Sequence, residues 1–140
     1  ISSLQNKIRS VTIMVQEELG MRIVAKPKTK DYSLLTLGMD FSFDSKLAFT
    51  VSPKSFYPAP KVSSCVITMR PKPCPNIDAE SYFKVLKSAF NQRRKMLRAS
   101  LGKEYGSELI ERNLQTIGLK PTARPEELSP DEWISFFNTL

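Results

Sequence analysis

The chain contains no histidine. That removes the side chain most often used as a general base near neutral pH, and the commonest metal ligand. There are two cysteines, Cys65 and Cys74. Two thiols make neither a disulfide framework nor a thiolate metal cage, so no metal site is expected and a reducing, cytoplasmic setting is the expectation. The five glycines, Gly20, Gly38, Gly102, Gly106 and Gly118, never fall in a G-x-G arrangement, so no phosphate-cradling loop can be drawn. No apolar run approaches the roughly 18 residues needed to cross a bilayer. The first ten residues lack the apolar block of a signal peptide. No paired-carboxylate, Ser/His/Asp or Cys/His constellation stands out. The chemistry left open is transfer of an already activated group to a positioned nucleophile, or binding alone.

The chain has 140 residues, 41% hydrophobic and 25% charged, which fits one ordinary domain or two very small ones and a globular rather than disordered chain. Its net charge is +7, from 21 basic and 14 acidic residues. Between residues 84 and 103 there are seven Lys/Arg and no acid, whereas acids dominate from Glu104 onward. A concentrated positive segment points first to an anionic partner such as nucleic acid; a solvated helix face is the plainer alternative.

Val11-Thr12-Ile13-Met14-Val15 is a continuous β-rich run, which reads as a strand buried on both faces of a parallel sheet. Residues 16–25 read as a helix with Glu17 and Glu18 in its first turn. A polar basic loop, Lys26-Pro27-Lys28-Thr29-Lys30-Asp31, ends it. Residues 32–43 alternate, with Leu35, Leu37, Met39, Phe41 and Phe43 on one side, and lean to a strand. Residues 47–51 and 64–69 read as an antiparallel pair joined by a long loop. Pro71, Pro73 and Pro75 mark a linker, placing one domain at 1–72 and a second, helical one at 73–140. Asp78 is placed to cap the next helix. Phe83, Leu86, Phe90, Leu97 and Leu101 form its apolar stripe, and Gly102 is a plausible stop. Residues 107–117 make another helix. Ser129-Pro130-Asp131-Glu132 is the clearest helix start in the chain, with Trp133, Phe136, Phe137 and Leu140 packing behind it.

Read as one helix, residues 84–101 place Lys84, Lys87, Asn91, Arg94 and Arg98 on a single stripe, with Lys95 at its edge. With no acid nearby in sequence these cations repel one another, and phosphates relieve that repulsion. Such contacts position a partner without reading its sequence. The loop Phe56-Tyr57-Pro58-Ala59-Pro60-Lys61-Val62-Ser63-Ser64 is stiffened by prolines and carries two aromatic rings. Either Phe56 presents a face for stacking on a planar ligand, or it plugs the core and the prolines only shape a connection.

The same loop resembles the F-x-P-x-P-x-V-x-S motif of the rRNA adenine N6,N6-dimethyltransferases, the KsgA family. Ala89-Phe90-Asn91-Gln92-Arg93-Arg94-Lys95-Met96-Leu97-Arg98-Ala99-Ser100-Leu101 resembles that family's basic helix. Val15-Gln16-Glu17-Glu18 with Arg22-Ile23-Val24-Ala25, and Ala123-Arg124-Pro125-Glu126-Glu127-Leu128-Ser129, match further segments in order. The resemblance implies an α/β fold: the C-terminal part of a Rossmann-like S-adenosylmethionine-dependent methyltransferase domain, followed by a small all-α domain that docks rRNA. It implies a parent enzyme that dimethylates two adjacent adenines near the 3′ end of small-subunit rRNA during ribosome biogenesis. Phe56 would stack on the flipped target adenine. Lys54, Lys61, Lys84, Lys87, Arg93, Arg94, Lys95 and Arg98 would contact RNA. It also makes residues 33–43 a helix, against the alternation.

The family's cofactor glycine motif and its Asn-Leu-Pro-Tyr motif are both absent. Ile1-Ser2-Ser3 resembles what directly follows the second, and the interval to Val11 is short for the family: a shortened variant, or a dropped stretch. The expectation is therefore a partial chain that binds no S-adenosylmethionine and is inactive alone. Its expected partner is the small-subunit rRNA within the ribosomal subunit, with no membrane and as a monomer. Two rival readings are a non-catalytic nucleic-acid-binding module, such as a transcription factor derived from the same family, and the related resistance methyltransferase acting on large-subunit rRNA.

Overall fold

The computed structural model describes residues 7–140; the reading of Ile1-Ser2-Ser3 lies outside them. The chain divides into two compact units. One comprises the residues up to Ala25 together with Leu35–Cys74, the other Lys26–Leu34 with Pro75–Leu140. The boundary expected at 72/73 runs close to one of these divisions. The assignment of Lys26–Leu34 to the helical unit has no counterpart in the sequence pattern.

The first unit is α/β. Strand β1 (Val11–Gln16) runs into helix α1 (Glu17–Ile23); then come helix α2 (Leu34–Asp40) and strands β2 (Phe43–Val51) and β3 (Ser64–Pro71). The sheet order is β1-β3-β2 and both pairings are antiparallel. Thus β1 is not a strand of a parallel sheet within the described residues. Nor is it buried on both faces: its residues alternate between half-buried and exposed, and Met14 is 54% exposed. One face of the sheet carries Cys65, Ile67 and Met69, against which Val11, Ile13 and Val15 pack with Ile23 from α1 and Leu35 and Met39 from α2. On the other face the register aligns Met14 with Val66 and Val66 with Phe49. A bulge between Leu47 and Phe49 shifts β2 by one residue, so Leu47 pairs with Ile67 but Phe49 pairs with Val66, on the opposite face.

Residues 34–40 form a helix, not the strand that alternation suggested. Leu35 and Met39, four apart, meet the same core, which a helix satisfies as well as an alternating strand would. The helix is further fixed by the hydroxyl of Thr36, which donates to the Arg22 carbonyl at 2.6 Å. The helix that the resemblance implied over residues 33–43 is present at Leu34–Asp40, while Phe43 opens β2.

The second unit contains helices α3 (Ala79–Phe90), α4 (Leu97–Ser100), α5 (Gly102–Tyr105), α6 (Ser107–Thr116) and α7 (Pro130–Phe137). Gly102 opens α5 rather than stopping a helix; Gly106 and Gly118, both with positive φ, mark the turns instead. The α7 start is a full capping box: the Glu132 amide donates to Ser129 Oγ, and the Ser129 amide donates to the Glu132 carboxylate. Trp133, Phe136, Leu86, Leu97, Leu101, Ile110 and Leu114 are buried. Trp133 meets Phe90 and Phe136 at ring separations of 5.9 Å, and its indole N–H donates to the Pro125 carbonyl. Tyr32 belongs to this core too: it is fully buried and its hydroxyl donates to the Leu128 carbonyl at 2.7 Å.

In the first unit, Gly20 on α1 lies against β3, where an added Cβ would collide with Cys65 Sγ. Alanine would raise helix propensity by about 1 kcal/mol, but overpacking here costs roughly 1–3 kcal/mol. Gly20→Ala is expected to lower the urea midpoint, and Cys65→Ala in the same chain to restore part of the loss. Equal effects of Gly20→Ala on both backgrounds would show that the contact does not limit packing.

Candidate nucleic-acid interface

The basic segment is not one helix. Asp78 caps α3 by accepting from the Ser81 amide at 3.2 Å, and hydrogen bonds to Ser81 hold its carboxyl below the ordinary value. The helix ends at Phe90. Residues 91–96 form a turn, closed by the Lys95 amide donating to the Gln92 carbonyl at 2.7 Å. Met96 is extended, with φ −63° and ψ 149°. The Leu97 amide donates to the Ala123 carbonyl, 2.9 Å away, instead of to a carbonyl one helical turn back. The helix has thus ended before Leu97, which opens α4 with its amide held by a carbonyl 26 residues on. The single stripe of Lys84, Lys87, Asn91, Arg94 and Arg98 does not form. Instead Phe90, Asn91, Gln92, Arg93, Arg94 and Lys95 line a shallow cleft of about 570 Å³.

Nor are the cations uncompensated. Arg98 is paired with Glu111 at 2.6 Å and Lys84 with Glu104 at 3.4 Å, the latter an exposed pair of the kind worth little. Arg93 is the most committed. Its Nε donates to Glu126 Oε2 at 2.6 Å, its Nη1 to the Lys30 carbonyl at 2.6 Å and its Nη2 to the Thr29 carbonyl at 2.9 Å. Three of its five N–H donors are therefore taken. Every one of these acids comes from the acidic stretch after residue 103, too far along the chain for a pattern of neighbours to reveal. Lys87, Arg94 and Lys95 are exposed, and among the described residues they carry no ion pair.

In the first unit, β2 leads into a 3₁₀ turn, Pro53–Ser55, where Ser52 Oγ accepts from the Lys54 amide. The Phe56 amide closes this turn on the Pro53 carbonyl at 3.2 Å, and the chain continues extended. Phe56 is half-buried, whereas Tyr57 is fully exposed. Lys54 and Lys61 are exposed on either side of it in sequence. The loop returns to β3 where the Glu17 amide donates to the Ser63 carbonyl, tying it to the start of α1. Sequence reasoning named the loop but not the difference in exposure between its two rings. It also missed Lys28, Lys30 and Glu126. The signal that could have found them was Tyr32, a large aromatic beside a basic loop that needed a core to enter.

Of the glycines in the first unit, Gly20 is closed against Cys65 and Gly38 lies within α2; Gly102, Gly106 and Gly118 lie in the helical unit. Burial, with the Glu17 carboxylate adding to it, pushes the Cys65 thiol above its ordinary value, so it stays protonated at neutral pH. The described residues contain no cluster of three His, Cys, Asp or Glu able to hold a metal, and no helix long and apolar enough to cross a membrane.

The family model described as "Ribosomal RNA adenine dimethylase" matches residues 1–140. The chain is 46% identical over 132 residues to the ribosomal RNA small subunit methyltransferase A of Protochlamydia amoebophila, covering 94% of this chain and 46% of that protein. It is 39% identical over 138 residues to the protein of the same name from Chlamydia muridarum, covering 96% and 50%. The chain thus spans about half the length of these curated relatives. Among solved structures, it superposes on a dimethyladenosine transferase from Plasmodium falciparum with a TM-score of 0.75 at 18% identity, covering 96% of this chain and 59% of that one. It also superposes on the 23S rRNA methyltransferase ErmE, with a TM-score of 0.68 at 25% identity, covering 95% and 55%. By its sequence match over every residue, the chain belongs to the ribosomal RNA adenine dimethylase family.

Proposed function

We propose that this chain is the C-terminal part of a small-subunit rRNA adenine N6,N6-dimethyltransferase, supplying the platform for the target base and a helical surface that docks rRNA. The observation that carries this reading is the loop after β2: a proline-stiffened turn holding Phe56 half-buried with Tyr57 exposed beside it. A ring half sunk into its own unit is held in place while keeping a surface for a base. Phe56 stacks on an adenine taken out of its helix, and Lys54 and Lys61 meet the phosphates that flank it. In the helical unit Lys87, Arg94 and Lys95 supply the phosphate contacts, joined at their edges by Lys84 and Arg98, whose acids partly offset their charge. When bound in the complete enzyme, S-adenosylmethionine supplies an activated methyl group. No step through it is assigned to the residues of this chain.

Two outcomes test the reading. In a full-length enzyme carrying this half, Phe56→Ala is expected to lower kcat/KM by about 1–3 kcal/mol of lost stacking, roughly five- to 150-fold, with binding to small-subunit particles little changed. Unchanged turnover would remove the stacking role. Arg94→Glu with Lys95→Glu is expected to weaken binding of the chain to a labelled RNA hairpin and flatten its dependence on salt, read by fluorescence anisotropy across a salt series. A salt slope equal to the wild type would mean that this turn does not touch phosphate.

A further inference from the structure

The basic loop at residues 26–31 looks in sequence like a connector, yet three of its consecutive residues are hydrogen-bonded to distant parts of the helical unit. Lys28 sits at φ 66°, a left-handed conformation that a lysine adopts only when its surroundings impose it. Its amide donates to the Glu126 carbonyl at 2.8 Å. The next two carbonyls, of Thr29 and Lys30, accept from the two Nη groups of Arg93, while Nε of the same guanidinium binds the Glu126 carboxylate. Tyr32, two residues on, is fully buried in the same unit. Residue 126 and residue 93 thus grip three consecutive residues of the loop. The backbone of Lys30 lies one arginine side chain away from the turn that carries Arg94 and Lys95.

The charges sort accordingly. Arg93 is neutralised by Glu126, and its side chain is only 33% exposed, so it is a poor phosphate ligand. The side chains of Lys28 and Lys30 are exposed, and among the described residues they carry no ion pair. Lys28 also lines a cleft of about 550 Å³ with Lys120. Glu127 and Glu132 line the same cleft; each accepts from a backbone amide, of Arg124 and Ser129 respectively, and keeps its negative charge.

We infer that Lys28 and Lys30 form a second phosphate-binding element of the helical unit, and that Arg93 is a positioning residue that holds this element beside Arg94 and Lys95 rather than a ligand of RNA. Two short basic segments, more than 60 residues apart in sequence, then make one polyanion-binding surface. The inference rests on the proposed RNA-docking role of this unit. A guanidinium is required at position 93 because its planar fork reaches two carbonyls and a carboxylate at once; a lysine ammonium carries the same charge without that geometry.

The test uses the full chain, a labelled RNA hairpin and three variants, with anisotropy titrations between about 50 and 200 mM salt. Lys28→Gln with Lys30→Gln is expected to leave the unfolding midpoint unchanged and to reduce the salt slope by about one to two, the value of one or two lost phosphate contacts. Arg93→Lys, which keeps the charge, is expected to speed amide hydrogen exchange across residues 26–34 and to lower the salt slope as the lysine pair does. A slope unchanged in Lys28→Gln with Lys30→Gln, but reduced in Arg94→Gln with Lys95→Gln, would overturn the loop's role while leaving RNA docking intact. Hydrogen exchange unaltered in Arg93→Lys would overturn the positioning role. Failure of the wild-type chain to bind the hairpin at any salt would overturn the docking reading and this inference with it.

Discussion

The guanidinium of Arg93 decides what the helical unit contains. Residues 26–34 are short, polar and basic at one end, and have no apolar face of their own beyond Tyr32 and Leu34. They belong to this unit because two hydrogen bonds from the Arg93 side chain, one from the Lys28 amide to the Glu126 carbonyl and a buried tyrosine fix them there. The pair with Glu126 is about one-third exposed on each side. Its Coulomb energy is therefore partly screened, and the larger consequence is structural: removing the guanidinium leaves one carboxylate and two carbonyls without their donor. The same constraint shapes the turn at residues 91–96. A helix continuing through Arg93 would carry its side chain around with the helical repeat, whereas the turn holds it toward the loop and frees the Leu97 amide for Ala123.

This arrangement separates two uses of positive charge that composition merges. The excess of cations between residues 84 and 103 is a property of the chain; the field at the surface is a property of what remains after pairing. Glu104, Glu111 and Glu126 remove Lys84, Arg98 and Arg93 in part or in full. Lys87, Arg94 and Lys95 carry no ion pair among the described residues, and in the inferred surface Lys28 and Lys30 join them. In the proposed reading a polyanion therefore meets a smaller and differently composed set of cations than the sequence suggests. Because phosphate contacts carry no base information, that set governs affinity and its salt dependence rather than the choice of target.

Local signals with a complete physical mechanism were readable in advance. The Ser129-Pro130-Asp131-Glu132 start became a full capping box, Asp78 caps α3, and the strands at 47–51 and 64–69 pair antiparallel. Signals that rest on periodicity alone were not. The alternation at residues 32–43 is equally a helical pair at Leu35 and Met39, and only packing against β3 decides between them. The apolar run at residues 11–15 suggested two buried faces, but Met14 is exposed beside Val66 in the sheet register. The basic helix failed for a third reason: the carbonyl that holds the Leu97 amide and the acids that pair with Arg93 and Arg98 lie beyond any window of local pattern. The aromatic loop was legible as a motif, but which ring projects was not, since that depends on the 3₁₀ turn that orients Phe56.

The loop after β2 and the turn after α3 share a design. Each is a short segment whose backbone is tied at its C-terminal end to a distant partner, Ser63 with Glu17 in one and Leu97 with Ala123 in the other. The first leaves Tyr57 exposed with Lys54 and Lys61 to either side of it in sequence, and the second leaves Arg94 and Lys95 exposed. Such fixing matters because a flexible loop would have to be ordered at the moment of binding, at a cost of about 1–2 kcal/mol for each residue's backbone. A ring held ready loses little on stacking, and a cation held ready needs no rearrangement to meet a phosphate. In the proposed reading the two segments divide the work by chemistry: the aromatic one acts on a single base, and the cationic one on the backbone of a folded RNA. A defect in the first therefore shows in turnover and a defect in the second in affinity, because stacking on the reacting base is made only once that base has left its helix, while phosphate contacts are made in every bound state.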